Sequence, residues 1–288
     1  MDYSNQKGYI FFDGALVKWS EAHLHVLSHG LHYGSSVFEG ERAYNGKVFK
    51  EIEHTKRLIH SAETLDFKIP YSENEIINIR KKVLEANHIK DGYIRPVAWR
   101  GSEMMGISAQ QNKIHFAVAA WQWPSYFSPE AKLKGIKLNI SKWKRPSPET
   151  APVSTKSAGL YMICTLSKHE AERKGYDDSL MLDYRNYIAE ATGANIFFTK
   201  KDKLYTPIAD CFLDGITRRT VISIAKQEGL SIHETRIKTE DLHNYDECFV
   251  TGTAAEVTPV NAIEDFEFKP GEICEFLMEK YANFILKG

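Results

Sequence analysis

A chain of 288 residues, 43% apolar, 12% aromatic and 26% charged, has ordinary globular composition and is long enough to build one large core or two moderate ones without disulfides. With 37 Lys and Arg against 38 Asp and Glu, the net charge of −1 removes the electrostatic case for a nucleic-acid partner. The longest apolar run, Phe116 to Trp121, is far short of the roughly 20 residues that span a membrane, and the first residues carry no export signal. Cys164, Cys211, Cys248 and Cys274 form no C-x-x-C pair and sit among apolar neighbours, so a soluble protein of a reducing cytoplasm is expected.

In chain order, residues 9–19 read as a hairpin turning at Asp13-Gly14, and residues 42–49 as a second turning at Asn45-Gly46. Both dipeptides suit a two-residue type I′ turn, which needs positive φ at both centres. A helix is predicted around residues 53–65. Another opens at Ser72-Glu-Asn-Glu75, a capping box, with Ile76, Ile79 and Val83 on one apolar face. Strands over 92–99 and 113–121 complete a small α+β domain, residues 1–122. Pro124, Ser125 and Ser128-Pro129 mark an interdomain linker over 123–131. A large α+β domain, residues 132–288, then opens on a strand over 135–143. It continues with a helix over 160–174 stopped by Gly175, and strands over 179–183, 187–190, 195–199 and 204–207. A helix over 217–228, a strand near 248–251 and a terminal helix around 272–286 finish the chain.

The common signatures of chemistry fail. Gly101-Ser-Glu-Met-Met-Gly106 has phosphate-loop spacing, but Ile107 stands where the lysine must be, and neither G-x-G-x-x-G nor G-x-S-x-G occurs. His169-Glu-Ala-Glu-Arg173 places arginine where a zinc helix needs its second histidine, and His25, His29 and His32 lack ligand partners at a metal spacing. No metal is expected. What remains is Arg57 on a helix, Lys156 in a small-residue segment, Glu190 at a strand end, a Gly215-Ile-Thr217 helix start and the turn Thr251-Gly-Thr-Ala-Ala255. Taken singly, each reads equally well as a surface lysine, an exposed strand end or an ordinary ion pair.

Together and in order, these segments resemble the fold-type IV pyridoxal-phosphate enzymes, and most closely the branched-chain amino acid aminotransferases. The pieces are His29-Gly-Leu-His-Tyr-Gly-Ser-Ser-Val-Phe-Glu-Gly40, His54-Thr-Lys-Arg-Leu58, Tyr93-Ile-Arg-Pro96, Lys156-Ser-Ala-Gly-Leu-Tyr161, Glu190-Ala-Thr-Gly-Ala-Asn-Ile-Phe-Phe198, Leu213-Asp-Gly-Ile-Thr-Arg218 and Gly252-Thr-Ala-Ala-Glu-Val-Thr-Pro259. The resemblance implies a two-domain α+β fold of the D-amino acid aminotransferase-like type with pyridoxal 5′-phosphate as cofactor. By it, Lys156 is the Schiff-base lysine and Glu190 faces the pyridine nitrogen. Tyr161 meets the phenolic oxygen, and Arg57, Ile216, Thr217 and Thr253 hold the phosphate, for which a helix N-terminus is well suited.

For the substrate, the resemblance points to Tyr33, Phe38, Gly40 and Tyr126 around a side-chain pocket. Tyr93, Arg95, Ala254 and Ala255 are implied to receive the α-carboxylate. It also implies a reversible ping-pong exchange between Leu, Ile or Val and 2-oxoglutarate, in a homo-oligomer that is a dimer at least and a hexamer in some members. D-amino acid or (R)-amine aminotransferases and aminodeoxychorismate lyase share the lysine, glutamate and arginine; Tyr93-x-Arg95 and Gly252-Thr-Ala-Ala-Glu256 favour the branched-chain member. From another class, a silent binder that kept the fold is the rival. Three positions depart from the pattern. Glu41 replaces an aliphatic residue, and either faces away from the pocket or alters specificity. Leu160 replaces an asparagine, and Trp99-Arg100 replaces a smaller uncharged pair, with Arg100 a candidate contact for a second carboxylate or a partner subunit.

Overall fold

The structure, a computed structural model, describes residues 2–123 and 134–287. Most of the expected linker, and Tyr126 with it, lies outside the described residues. Backbone contacts divide the rest into two compact units: residues 2–123 with Thr155–Leu160, and residues 134–154 with 161–287.

The first unit contains β1 (Tyr9–Phe12), β2 (Ala15–Lys18), α1 (His29–Tyr33), β3 (Ser36–Phe38), β4 (Glu41–Tyr44), β5 (Lys47–Val48), α2 (Glu51–Thr64), α3 (Glu73–Ala86), β6 (Gly92–Arg100) and β7 (Ile114–Gln122). The two hairpins form because Asp13, Gly14, Asn45 and Gly46 adopt φ of 47°, 106°, 51° and 80°, the left-handed geometry that a two-residue turn between twisted strands requires. Helix α3 starts where its cap does: Ser72 Oγ accepts the Glu75 N–H while the Glu75 carboxylate accepts the Ser72 N–H. The sheet runs β2-β1-β7-β6-β4-β5, with β3 also on β6. Helices α2 and α3 pack on each other and on β1, β3 and β7, burying Leu58, Ala62, Ile76, Val83, Phe116 and Val118.

The second unit contains β8 (Ile136–Ile140), α4 (Tyr161–Arg173), β9 (Asp178–Leu182), β10 (Ile188–Ala191), β11 (Asn195–Lys200), β12 (Lys203–Pro207), α5 (Ile216–Gln227), β13 (Ser231–Thr235), β14 (Glu247–Gly252), β15 (Glu256–Ile263), β16 (Phe266–Glu267) and α6 (Glu272–Lys287). Strand order is β10-β9-β8-β15-β14-β11-β12-β13, and β10 pairs with β11 as well, so six of the strands close a ring around Leu138, Leu180, Ile196, Phe198, Val250 and Val260. Glycines 175 and 229, at φ 81°, follow α4 and α5 as expected.

Five elements were not anticipated: α1, β3, β13, β15 and β16. The long central β15 is the instructive one, because Pro259 argues against an interior strand. Its pairing with β8 begins at Val260, one residue past the proline, and Pro259 lies opposite Phe249 of β14. The segment carrying Lys156 also departs from expectation, since it groups with the first unit rather than the second. The reason is pairing: Ser157 bridges to Val37, and the Phe38 N–H donates to the Lys156 carbonyl.

Candidate active site

In the first unit, Lys156 is clamped through its backbone on two sides. Its N–H donates to Ser61 Oγ of α2 at 3.0 Å and its carbonyl accepts from β3 at 3.2 Å, so a lysine outside any helix or strand is fastened at both of its backbone groups. The amine stands 5.0 Å from the centre of the Phe38 ring, and the Arg95 guanidinium lies 4.7 Å from the centre of the same ring. Burial, reinforced by the charge of Arg57, pushes the Lys156 amine down to about 8. Such an amine sheds its proton close to neutrality, as an exposed lysine does not.

Arg57 is aimed by Glu39, a fully buried carboxylate that accepts from Arg57 Nε and Nη2 at 2.7 and 2.8 Å and from His54 Nδ1 at 2.7 Å. Burial alone would raise the Glu39 carboxyl, but Arg57 and His54 outweigh it and hold it well below the usual carboxylate range. Burial lowers His54 against the pull of Glu39, so it serves as a neutral donor. Neither Glu39 nor His54 was expected. Both lie inside motifs quoted above, and the i, i+3 spacing that puts His54 and Arg57 on one helix face was the available signal.

Tyr93 and Gly40 meet so closely that a Cβ on Gly40 would stand 1.9 Å from the Tyr93 hydroxyl, which also accepts from Arg95 Nη2 at 3.3 Å. Lys156, Arg57, Phe38, Gly40, Tyr93 and Arg95 thus belong to one unit. Tyr33 is half exposed, stacked on His29 with its hydroxyl donating to the Met105 carbonyl.

Two of the departures, Glu41 and Arg100, resolve as packing. Glu41 is fully buried and points to Arg80 of α3, its Oε2 2.8 Å from Arg80 Nε, rather than toward Tyr93. Arg100 donates to the carbonyls of Ala109, Leu65 and Asp66, which makes it a brace for two loops. His25 and His32 bond locally, and His29 bonds to Ser35 Oγ and to the Gly106 carbonyl, 77 residues away. Glu39, Glu41 and His54, and again Asp183, Asp210 and Cys211, come within metal-ligand distance of one another, but Arg57, Arg80 and Arg185 pair with these carboxylates.

In the second unit, Glu190 of β10 is buried and accepts from Asn195 Nδ2 at 3.2 Å, with Arg145 Nε at 3.3 Å. Arg145 in turn reaches Cys164 Sγ at 3.6 Å. The register sets Glu190 opposite Asn195, and Asn195 opposite Thr251, across β10, β11 and β14. Helix α5 starts at the N-cap Gly215 with no side-chain cap, and Ile216 and Thr217 are buried in its first turn. Its leading amides therefore lack the partner a Ser or Asp cap would supply, and the helix dipole favours an anion there. The turn holding Thr253, Ala254 and Ala255 joins β14 to β15, and next to it the buried Thr251 hydroxyl has no hydrogen-bond partner among the described residues. Tyr161 opens α4. Asn195 and Arg145 escaped the sequence reading; the first stands within a quoted motif, the second gave no signal.

The first unit thus holds a partly buried amine of lowered basicity, and the second a buried carboxylate and an uncapped helix start. The family model for amino-transferase class IV matches residues 36–263, and the chain belongs to that family. It is 47% identical to a Rickettsia felis protein named "Probable branched-chain-amino-acid aminotransferase", with 96% of each chain covered. It is 38% identical to the branched-chain-amino-acid aminotransferase of Pseudomonas aeruginosa over 99% of this chain and 95% of that one. The crystal structure of the Escherichia coli branched-chain amino acid aminotransferase superposes with a TM-score of 0.94 at 35% identity, covering 97% and 95% of the two chains. That of the Thermobaculum terrenum branched-chain amino acid aminotransferase in its PLP-form gives 0.88 at 27%, covering 98% and 94%. No helix among the described residues is long and apolar enough to cross a membrane.

Proposed function

We propose that this chain is a pyridoxal-phosphate-dependent aminotransferase that moves the amino group between branched-chain L-amino acids and 2-oxoglutarate by a ping-pong mechanism. Lys156 carries the reading: it is the partly buried amine whose surroundings bring it close to the neutral, nucleophilic form. The names of the relatives support the substrate class. The residues present fit the cofactor, since the second unit offers an anion the uncapped start of α5 and the Thr251 hydroxyl, and holds a buried carboxylate, Glu190, suited to a ring cation.

When bound, the cofactor supplies a sink for the electrons left as the substrate Cα proton departs. Lys156 is the residue that would hold the cofactor, and its Nζ, as a neutral amine, would take up the proton from the substrate Cα. Glu190 would place a carboxylate toward the ring nitrogen and favour its protonated form. Arg57, Ile216, Thr217 and Thr253 would hold the phosphate, and Tyr161 would meet the phenolic oxygen. Phe38 and Tyr33 would form the apolar side of the substrate site. Tyr93, aligned by Arg95, takes the α-carboxylate with the Ala254 and Ala255 amides. Because Gly40 leaves no room beside the Tyr93 hydroxyl, Gly40→Ala is expected to cut kcat/KM about 100-fold by displacing it; steady-state kinetics within twofold of wild type would reject that role for Tyr93.

The reading is tested by the visible spectrum of the reconstituted protein before and after L-leucine, with D-alanine in parallel. Conversion of the cofactor band by L-leucine is the expected result. Conversion by D-alanine alone moves the protein to the D-amino acid branch, and no band in either sample leaves a silent binder. The same reading makes the enzyme cytoplasmic and at least dimeric. Four buried free thiols support the first. Exposed Val26, Leu27, Leu31, Tyr33, Met104 and Ile107 support the second, as an apolar surface suited to a second copy.

A further inference from the structure

Asn195 is 5% exposed, and its amide is used at both ends. Nδ2 donates to Glu190 Oε2 at 3.2 Å and to the Leu213 carbonyl at 3.0 Å, while Oδ1 accepts the N–H of Gly215, the N-cap residue of α5, at 3.2 Å. The partners decide the amide's orientation, because a carboxylate and a carbonyl both demand the nitrogen and an N–H demands the oxygen. Gly215 is built for this contact: a Cβ there would stand 2.2 Å from Asn195 Oδ1. No other side chain of this length offers both a donor and an acceptor. Aspartate would set a second carboxylate against Glu190 and the Leu213 carbonyl, and alanine would not reach either.

We propose that Asn195 is a positioning residue that locks the Glu190 carboxylate and the first turn of α5 into one fixed relation, so that the ring-nitrogen and phosphate contacts of the cofactor are set by a single side chain. The inference rests on the functional reading above. Arg145 at 3.3 Å, with Cys164 behind it, is another neighbour of Glu190, and it bears on the carboxylate alone. Disturbing Asn195 therefore moves two properties at opposite ends of the cofactor, whereas disturbing Glu190 moves one.

The test compares wild type, Asn195→Ala, Asn195→Asp and Glu190→Gln by two readouts. The first is the dissociation constant of inorganic phosphate from the cofactor-free protein, followed by phosphorus NMR. The second is the pH midpoint of the visible band of the reconstituted protein. Both Asn195 variants are expected to bind phosphate about tenfold more weakly, roughly one hydrogen-bonded anion contact, and to shift the midpoint by about one pH unit. Glu190→Gln is expected to shift the midpoint alone. Asn195→Asp keeps the shape of the side chain and reports both readouts should the alanine variant fail to fold. Asn195 variants that melt at lower temperature yet keep the wild-type midpoint, or the wild-type phosphate affinity, overturn the inference. A wild-type protein that binds no pyridoxal phosphate overturns the functional reading itself.

Discussion

Replacing Lys156 by alanine is expected to lower turnover by at least roughly 10⁴-fold, the upper end of what a positioned base contributes, while leaving the protein folded. Folding survives because the bonds that fasten this segment are made by its backbone, to Ser61 Oγ and from the Phe38 N–H. The side chain itself opposes folding when charged. Its amine is brought down by burial and by Arg57 to about 8, against an ordinary lysine value of 10.5 in the unfolded chain. Between those values the unfolded chain binds more protons than the native one, so wild-type stability rises with pH across that window; below about pH 8 both states are charged and the full burial cost is present. In the cofactor-free state the alanine variant is thus expected to melt at or above the wild-type temperature at pH 7, and the gap in its favour to shrink by pH 10. Thermal melts at the two pH values, beside steady-state kinetics, check both halves. Wild-type turnover, or a variant that melts well below wild type at pH 7, contradicts the assignment.

Arg80→Leu is expected to destabilise the first unit by about 1–3 kcal/mol, the usual cost of leaving buried polar groups without their partner. Both Arg80 and Glu41 are fully buried, 2.8 Å apart, and Arg80 Nη1 also donates to Thr55 Oγ1. Burial and the neighbouring Glu39 charge push the Glu41 carboxyl up to about 8 against the pull of Arg80, so losing Arg80 drives this acid further toward its neutral form. Glu41→Leu alone strands an arginine that cannot shed its charge and is expected to cost more, about 3–5 kcal/mol. The double replacement, by contrast, exchanges a desolvated polar pair for apolar volume, and is expected to lie between neutral and about 4 kcal/mol more stable than wild type. Guanidinium unfolding of the four proteins closes the double-mutant cycle. A double variant that costs the sum of the two single ones would mean that Glu41 and Arg80 act independently.

Glu41 also shows where a one-dimensional reading stops. Its departure from the family pattern was visible, yet its consequence depended on a helix that begins more than thirty residues later in the chain. By contrast, both hairpins and the start of α3 were legible, because Asp13-Gly14, Asn45-Gly46 and Ser72-x-x-Glu75 act on backbone within three residues of themselves. The residues of the candidate site were legible through the order of seven short motifs, and their types were explicable only once chemistry was assigned to them. Glu39, His54 and Asn195 sat inside those same motifs unnoticed. They act on Arg57, Glu190 and Gly215 rather than on a ligand, and nothing in their spacing says which polar partner they will meet.

Central strand β15 and the placement of Lys156 mark the same boundary from the side of the fold. A proline in a buried strand is tolerated here because the pairing with β8 starts beyond it, a matter of register between segments more than a hundred residues apart. Lys156 joins the first unit through a bond to Ser61, 95 residues away, and through a bridge to β3, not through the helix it precedes. The sequence by itself therefore determined the turns, the capped helices, the α+β class and the family, all of which rest on local backbone preference or on the order of residues. Only the tertiary structure decided which unit owns the lysine, which buried acid answers which arginine, and how one asparagine ties a carboxylate to a helix start, since those depend on long-range packing that brings particular polar atoms within about three ångströms.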